Sequence, residues 1–152
     1  MANYNFKKDL IIGENGENTV ANDLIKMGGK LISDNKNNKF DLMIQKNGEN
    51  IKYEIKTDVF CKPHNDTGNI FVEFECRGKE SGIMVTEAKW FVTYFKHLNE
   101  IWYIKTSELL SLIETSNFRT TQFSGDSGSN TKGYLIPRYA FKEKFIIIMQ
   151  MF

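Results

Sequence analysis

The chain is poor in the residues on which several common chemistries depend. Of its 152 residues only two are cysteine and only two are histidine. Cys61 and Cys76 lack zinc-type pairing, and neither Cys-x-x-Cys nor His-Glu-x-x-His occurs. The two thiols are expected to stay reduced in a cytosol rather than to form a disulfide. With His64 and His97 alone, histidine-dependent nuclease or protease constellations have little to build on. There is no glycine-rich phosphate loop. Long apolar runs are missing too: Phe145-Ile146-Ile147-Ile148-Met149 is far too short to span a bilayer, and Met1 to Lys8 lack the apolar run of a signal peptide. A cytoplasmic protein with no membrane partner is the expectation. Net charge is only +1, so there is no bulk drive towards polyanions, and a nucleic-acid partner would have to be held by a local basic patch.

What remains is ordinary in amount and unusual in kind. Hydrophobic residues make up 41% and charged residues 26%, as in many soluble globular proteins. Aromatic residues reach 13%, with 12 Phe and 6 Tyr, so large side chains are expected to dominate the core. The length predicts one domain spanning 1–152, long enough to bury a sizeable core.

The strongest local signal is a hairpin. Phe40-Asp41-Leu42-Met43-Ile44 and Ile51-Lys52-Tyr53-Glu54-Ile55-Lys56 flank a turn at Asn47-Gly48. Asn-Gly favours a two-residue type I′ loop, which needs positive φ at both central positions. That loop sets Lys46 opposite Glu49, Ile44 opposite Ile51, Leu42 opposite Tyr53 and Phe40 opposite Ile55. The last three pairs make one apolar face. On the other face Asp41 meets Glu54, with Lys56 two residues along. Facing carboxylates repel, which makes sense if a divalent cation sits between them. Hard cations such as Mg²⁺ take one or two carboxylates together with waters and substrate phosphates. A lysine beside such a site can hold a phosphate or a nucleophilic water, so the pattern points to metal-assisted phosphodiester hydrolysis. The plain alternative is a solvated outer face. It suits any single acid better than it suits all three residues in one register.

Before the hairpin, Asn15 to Met27 reads as a helix ending at Gly28-Gly29, with Val20, Leu24 and Met27 at helical spacing. Glu17 lies one turn before Val20 on the same side, either as a helix N-terminal acid or as a group directed at the site. Glu14 is the weaker candidate for that role. After the hairpin, Cys61 to Thr67 reads as a loop. A third strand follows, with Ile70, Val72, Phe74 and Cys76 on one face and Phe71, Glu73 and Glu75 on the other, the two acids being read as solvent-facing. Arg77 to Gly82 reads as a basic loop, Ile83 to Lys89 as a short helical turn, and Trp90 to Phe95 and Ile101 to Ile104 as buried strands. Thr106 or Ser107 is expected to cap a further helix. Thr120 to Gly133 reads as a mobile loop, and Tyr134 to Phe152 as a strand and helix closing the core. The expected fold class is α/β, one mixed central β-sheet flanked by helices.

Glu17, Asp41 and Glu54-Ile55-Lys56, in that order along an early helix and a hairpin, resemble the PD-(D/E)xK nuclease superfamily. Thr86-Glu87-Ala88-Lys89-Trp90, leading into a hydrophobic strand, is similar to the helix-to-strand passage of its phage and resolvase-like members. Phe40 stands where that family often has proline. The resemblance implies a restriction-endonuclease-like core and a metal-dependent DNA endonuclease of a bacterium or phage. It also implies that Asp41, Glu54 and the Ile55 carbonyl bind Mg²⁺ or Mn²⁺, with Glu17 holding a water of the metal or completing a second metal site. Lys56 would orient the attacking water and steady the phosphate. DNA contacts are expected from Lys62, Arg77, Lys79 and Lys89 beside the site. A resolvase-like enzyme would act as a homodimer, because it cuts symmetric junctions. The competing readings are an exonuclease processing DNA ends, and a non-catalytic nucleic-acid- or protein-binding module on the same fold.

Overall fold

A computed structural model describes residues 6–33, 39–123 and 130–150. In chain order it contains α1 (Phe6–Lys26), β1 (Lys30–Ser33), β2 (Leu42–Lys46), β3 (Glu49–Asp58), β4 (Asn69–Cys76), β5 (Lys79–Glu80) and β6 (Trp90–Phe95). Then come β7 (Glu100–Lys105), α2 (Thr106–Thr115), β8 (Arg119–Phe123), β9 (Thr131–Pro137) and β10 (Ile146–Met149). The strands form two sheets, a six-stranded one in the order β1-β2-β3-β6-β7-β10 and a four-stranded one in the order β5-β4-β9-β8. The six-stranded sheet is mixed, since β3 pairs with β6 in parallel and its other neighbours pair antiparallel. No described helix is long and apolar enough to cross a membrane.

Alternation along β3 decides what lies on each side of this sheet. Tyr53 and Ile55 point to α1, joining Val20, Ala21, Leu24, Leu42, Ile44, Val92, Ile101 and Tyr103 in one core cluster. Glu54 and Lys56 point the other way. On that second side Phe91, Phe95, Trp102 and Ile104 pack against Ile70 and Val72 of β4, Ile136 of β9 and Leu109 of α2. Each such side chain, fully buried, contributes about 1.5–3 kcal/mol. The central strand β6 serves both cores, Val92 on one face and Phe91 on the other. Its near-continuous apolar run, Trp90-Phe91-Val92, is what a strand covered on both faces requires.

The hairpin adopts the expected register, Leu42 opposite Tyr53, Ile44 opposite Ile51 and Lys46 opposite Glu49. Its turn has φ of 53° at Asn47 and 77° at Gly48, the positive pair a type I′ loop needs. Helix α1 ends as expected: the Gly28 N–H reaches the Ile25 carbonyl and the Gly29 N–H the Leu24 carbonyl, each at 3.0 Å, a Schellman closure. It starts nine residues sooner than the periodicity indicates, at Phe6 rather than Asn15. At its middle it lies so close to β3 that any side chain on Gly16 would run into the Thr57 hydroxyl.

Five expectations need correcting. The third strand does not extend the hairpin's sheet. Asp58 ends β3 by accepting the Phe60 and Cys61 N–H groups, and the chain leaves to begin the second sheet while the apolar β6 takes the place beside β3. The second face of the mixed sheet is therefore covered by four strands together with α2, rather than by helices alone. The cap of α2 is Lys105, which makes no side-chain cap bond, because Thr106 is turned into the protein with its hydroxyl buried. Finally, the presumed loop Thr120 to Gly133 contributes to β8 and β9 at its two ends, with 124–129 outside the described residues. The closing segment, as far as Gln150, is strand and a 3-10 turn at Lys142–Lys144 rather than α-helix.

Candidate active site

The hairpin ladder stops at Leu42, one residue short of Asp41. Asp41 still follows β3, through its N–H to the Tyr53 carbonyl at 2.9 Å. Its side chain then takes over the role of a ladder acceptor: Oδ2 receives the Ile55 N–H at 2.8 Å. The Asp41 carboxylate is thus fixed by backbone on the strand that carries Glu54 and Lys56. Glu54 and Lys56 project from the same face of β3, with Lys56 Nζ 3.7 Å from Glu54 Oε1.

Glu54 is only 9% exposed. Burial first, and then the nearby charge of Asp41, pushes its carboxyl up to about 7; Lys56 and Thr86 pull in the opposite direction without prevailing. Burial and the charge of Asp41 thus both disfavour the ionised carboxylate. Thr86 is the second support of Glu54. Its hydroxyl lies 3.3 Å from Glu54 Oε2 and 3.1 Å from the Lys39 carbonyl, and it accepts the Ala88 N–H at 3.1 Å. A hydroxyl has one proton to give. The Lys39 carbonyl already receives the Glu87 N–H at 2.7 Å, so the Thr86 proton can serve Glu54 without orphaning it.

Asp41, Glu54 and Lys56 open into one cleft of about 490 Å³, lined also by Lys39, Glu73 and Glu80. Four carboxylates face two ammonium groups there. Lys39, Glu73, Glu80 and Thr86 are among the residues that sequence reasoning missed. Glu73 had been assigned to solvent on the strength of alternation, which correctly put it opposite buried Ile70 and Val72 on β4. What alternation cannot give is the position of β4 over the polar face of β3. Glu17 is half-buried on α1, next to the Gly16–Thr57 contact, and is not among the residues lining the cleft.

The lysines and arginine expected to meet DNA are dispersed. Lys62 is exposed at an isolated bridge to Asn65, and Arg77 and Lys79 are exposed around the β4–β5 turn. Lys89 lies at the start of β6 and pairs with Glu49 at 3.2 Å. None of the four lines the cleft, whereas Lys39 and Lys56 do.

The donor set suits a hard cation. Asp41 and Glu54 offer carboxylate oxygens to the same cleft. Among the described residues no three His, Cys, Asp or Glu side chains are grouped to hold a metal by themselves. Such a centre would need further oxygens from backbone, water or substrate, which is how Mg²⁺ is commonly held. No protein-family model matches the chain, and neither does any curated protein or solved structure.

Proposed function

We propose that this chain is a Mg²⁺- or Mn²⁺-dependent deoxyribonuclease built on a restriction-endonuclease-like core, acting as an endonuclease on DNA. One observation carries the reading: Asp41, fixed by the Ile55 N–H, and Glu54 line one cleft with Lys56, where burial and then the charge of Asp41 push the Glu54 carboxyl up to about 7. A structural ion pair would balance its charges, whereas this arrangement leaves them unbalanced. Asp41, Glu54 and the Ile55 carbonyl would hold the cation, which supplies Lewis-acid stabilisation of charge building on the phosphoryl oxygens. Lys56 places an ammonium group where it can bind the scissile phosphate and orient the attacking water. Thr86 keeps one Glu54 oxygen engaged, limiting the directions the carboxylate can take.

Charge supports the metal requirement. A cleft with four acids and two lysines repels a polyanion until a cation is bound. The test is incubation with supercoiled plasmid, linear duplex and a four-way junction, each with Mg²⁺ or Mn²⁺. Cleavage is expected in wild type and is expected to vanish in Glu54→Ala, in Lys56→Ala and in EDTA. Products from closed plasmid mark an endonuclease, and products from linear DNA alone an exonuclease. Preference for the junction, together with a dimer by light scattering, would identify the resolvase-like branch. DNA binding with no cleavage of any substrate would overturn the enzymatic reading in favour of a binding module.

A further inference from the structure

A second cleft of about 130 Å³ adjoins the acidic one, with Lys56 and Glu73 lining both. This second cleft mixes aromatic and acidic groups: Phe60, Phe71 and Thr93 line it together with Asp58 and Glu73. Phe60 is 62% exposed. Its backbone is firmly held. Asp58 Oδ1 accepts the Phe60 N–H and the Cys61 N–H, each at 2.9 Å, and Cys61 is fully buried in the core on the next position. The ring is therefore displayed from a braced turn, two residues beyond β3 and four beyond Lys56. Phe71 is braced as well, its ring lying where any side chain on Gly133 of β9 would have to go.

A preset aromatic face beside a phosphate-binding lysine matches one kind of occupant. Bases stack on aromatic rings with little regard to sequence, and the Phe60 backbone that presents the ring is already fixed by Asp58. Bases in an intact duplex are already stacked on one another and cannot reach such a ring. Given the nuclease reading above, the geometry points to Phe60 as the stacking platform for an unpaired base beside the phosphate held at Lys56, so that the substrate is DNA with a single-stranded segment next to the cut.

The test is fluorescence anisotropy with a labelled single-stranded oligonucleotide and with the same sequence as a duplex, in Ca²⁺, for wild type, Phe60→Ala and Phe60→Trp. Wild type is expected to prefer the single strand. That preference should fall about tenfold in Phe60→Ala and be kept in Phe60→Trp, which restores a stacking face. An unchanged preference in Phe60→Ala overturns the platform while leaving the nuclease reading standing. Equal weakening on both ligands in Phe60→Ala also overturns it, since a general surface contact would act that way. Binding of neither ligand by wild type overturns both readings at once.

Discussion

Arg138 and Glu54 are both buried ionisable residues, 0% and 9% exposed, and their surroundings are opposite in design. The Arg138 guanidinium pairs with the Asp66 carboxylate and donates to Cys61 Sγ at 3.4 Å. It also lies over the rings of Phe95 and Tyr139, each at 5.0 Å. The hydrogen bond from Arg138 holds the Asp66 carboxyl below its ordinary range. Its backbone N–H reaches the Gly68 carbonyl at 2.7 Å, so one residue ties the Cys61 to Gly68 loop to β9. Opposite charges here satisfy each other, and the result is a fastening. Around Glu54, by contrast, burial and then the charge of Asp41 raise the carboxyl, and one lysine does not offset them. A buried charge that is balanced holds a fold together; a buried acid left with unbalanced negative charge beside it strains the fold and is a candidate for function.

The widest separation between the two regions should appear when each is neutralised. Glu54→Gln is expected to lower plasmid cleavage at least ~1,000-fold, about 4 kcal/mol of transition-state stabilisation, while leaving the metal-free melting temperature at or above that of wild type. Arg138→Met should do the reverse. It leaves the partly exposed Asp66 without its partner and costs about 3 kcal/mol, roughly 6–12 °C in melting temperature for a chain of this size. Circular dichroism melts in EDTA beside a nicking assay read both. A Glu54→Gln protein that melts far below wild type would break the comparison, because Glu54 would then be a structural residue like Arg138.

The same contrast predicts opposite pH dependence. In metal-free solution Glu54 holds its proton to about pH 7 in the folded chain, but only to its ordinary 4.5 when unfolded. Between those values the folded state binds the extra proton, so stability falls as pH rises through this window. The full penalty, about 3 kcal/mol, is present above pH 7 and absent below 4.5. Asp66 has the other sign: its carboxyl lies below the ordinary 3.8, and the stability it contributes is lost as pH falls further. Melting wild type and Glu54→Gln in EDTA from pH 4 to 9 should give curves that diverge as pH rises, the variant being the more stable at pH 8. Saturating Mn²⁺ should close the gap, since a bound cation favours the ionised carboxylate. Parallel curves in EDTA would show that neither burial nor Asp41 raises the Glu54 carboxyl.

The hairpin was legible because every clue to it is local: a two-residue turn, an alternating pattern and three apolar pairs that agree on one register. The end of α1 was legible for the same reason, through Gly28-Gly29. Its beginning was not. Gly13 and Gly16 argue against a helix by propensity, and the close seat of Gly16 against Thr57 of β3 is a tertiary contact that no window of sequence contains. Glu73 was seen on the correct face of its strand and assigned to the wrong surroundings, since strand pairing places β4 in a second sheet. Nothing in the sequence around Arg138 marks it as a buried residue. Its burial depends on Asp66, which is 72 positions away in the chain.

Thr86 offers the finest test, because it touches Glu54 from 32 positions away without being an acid or a base. If its proton serves Glu54, then Thr86→Val removes a donor from the ionised carboxylate while keeping the shape of the side chain. The loop keeps its link to Lys39 through the Glu87 N–H, so folding should be little affected. The expected result is about tenfold weaker Mn²⁺ binding by calorimetry, equivalent to one modest hydrogen bond to a charged group. Thr86→Ser keeps the hydroxyl and should bind Mn²⁺ as wild type does. A loss in both variants would instead assign Thr86 to packing. A loss in neither would mean that the hydroxyl donates to the Lys39 carbonyl, and that Asp41, Lys56 and the strand itself suffice to aim Glu54.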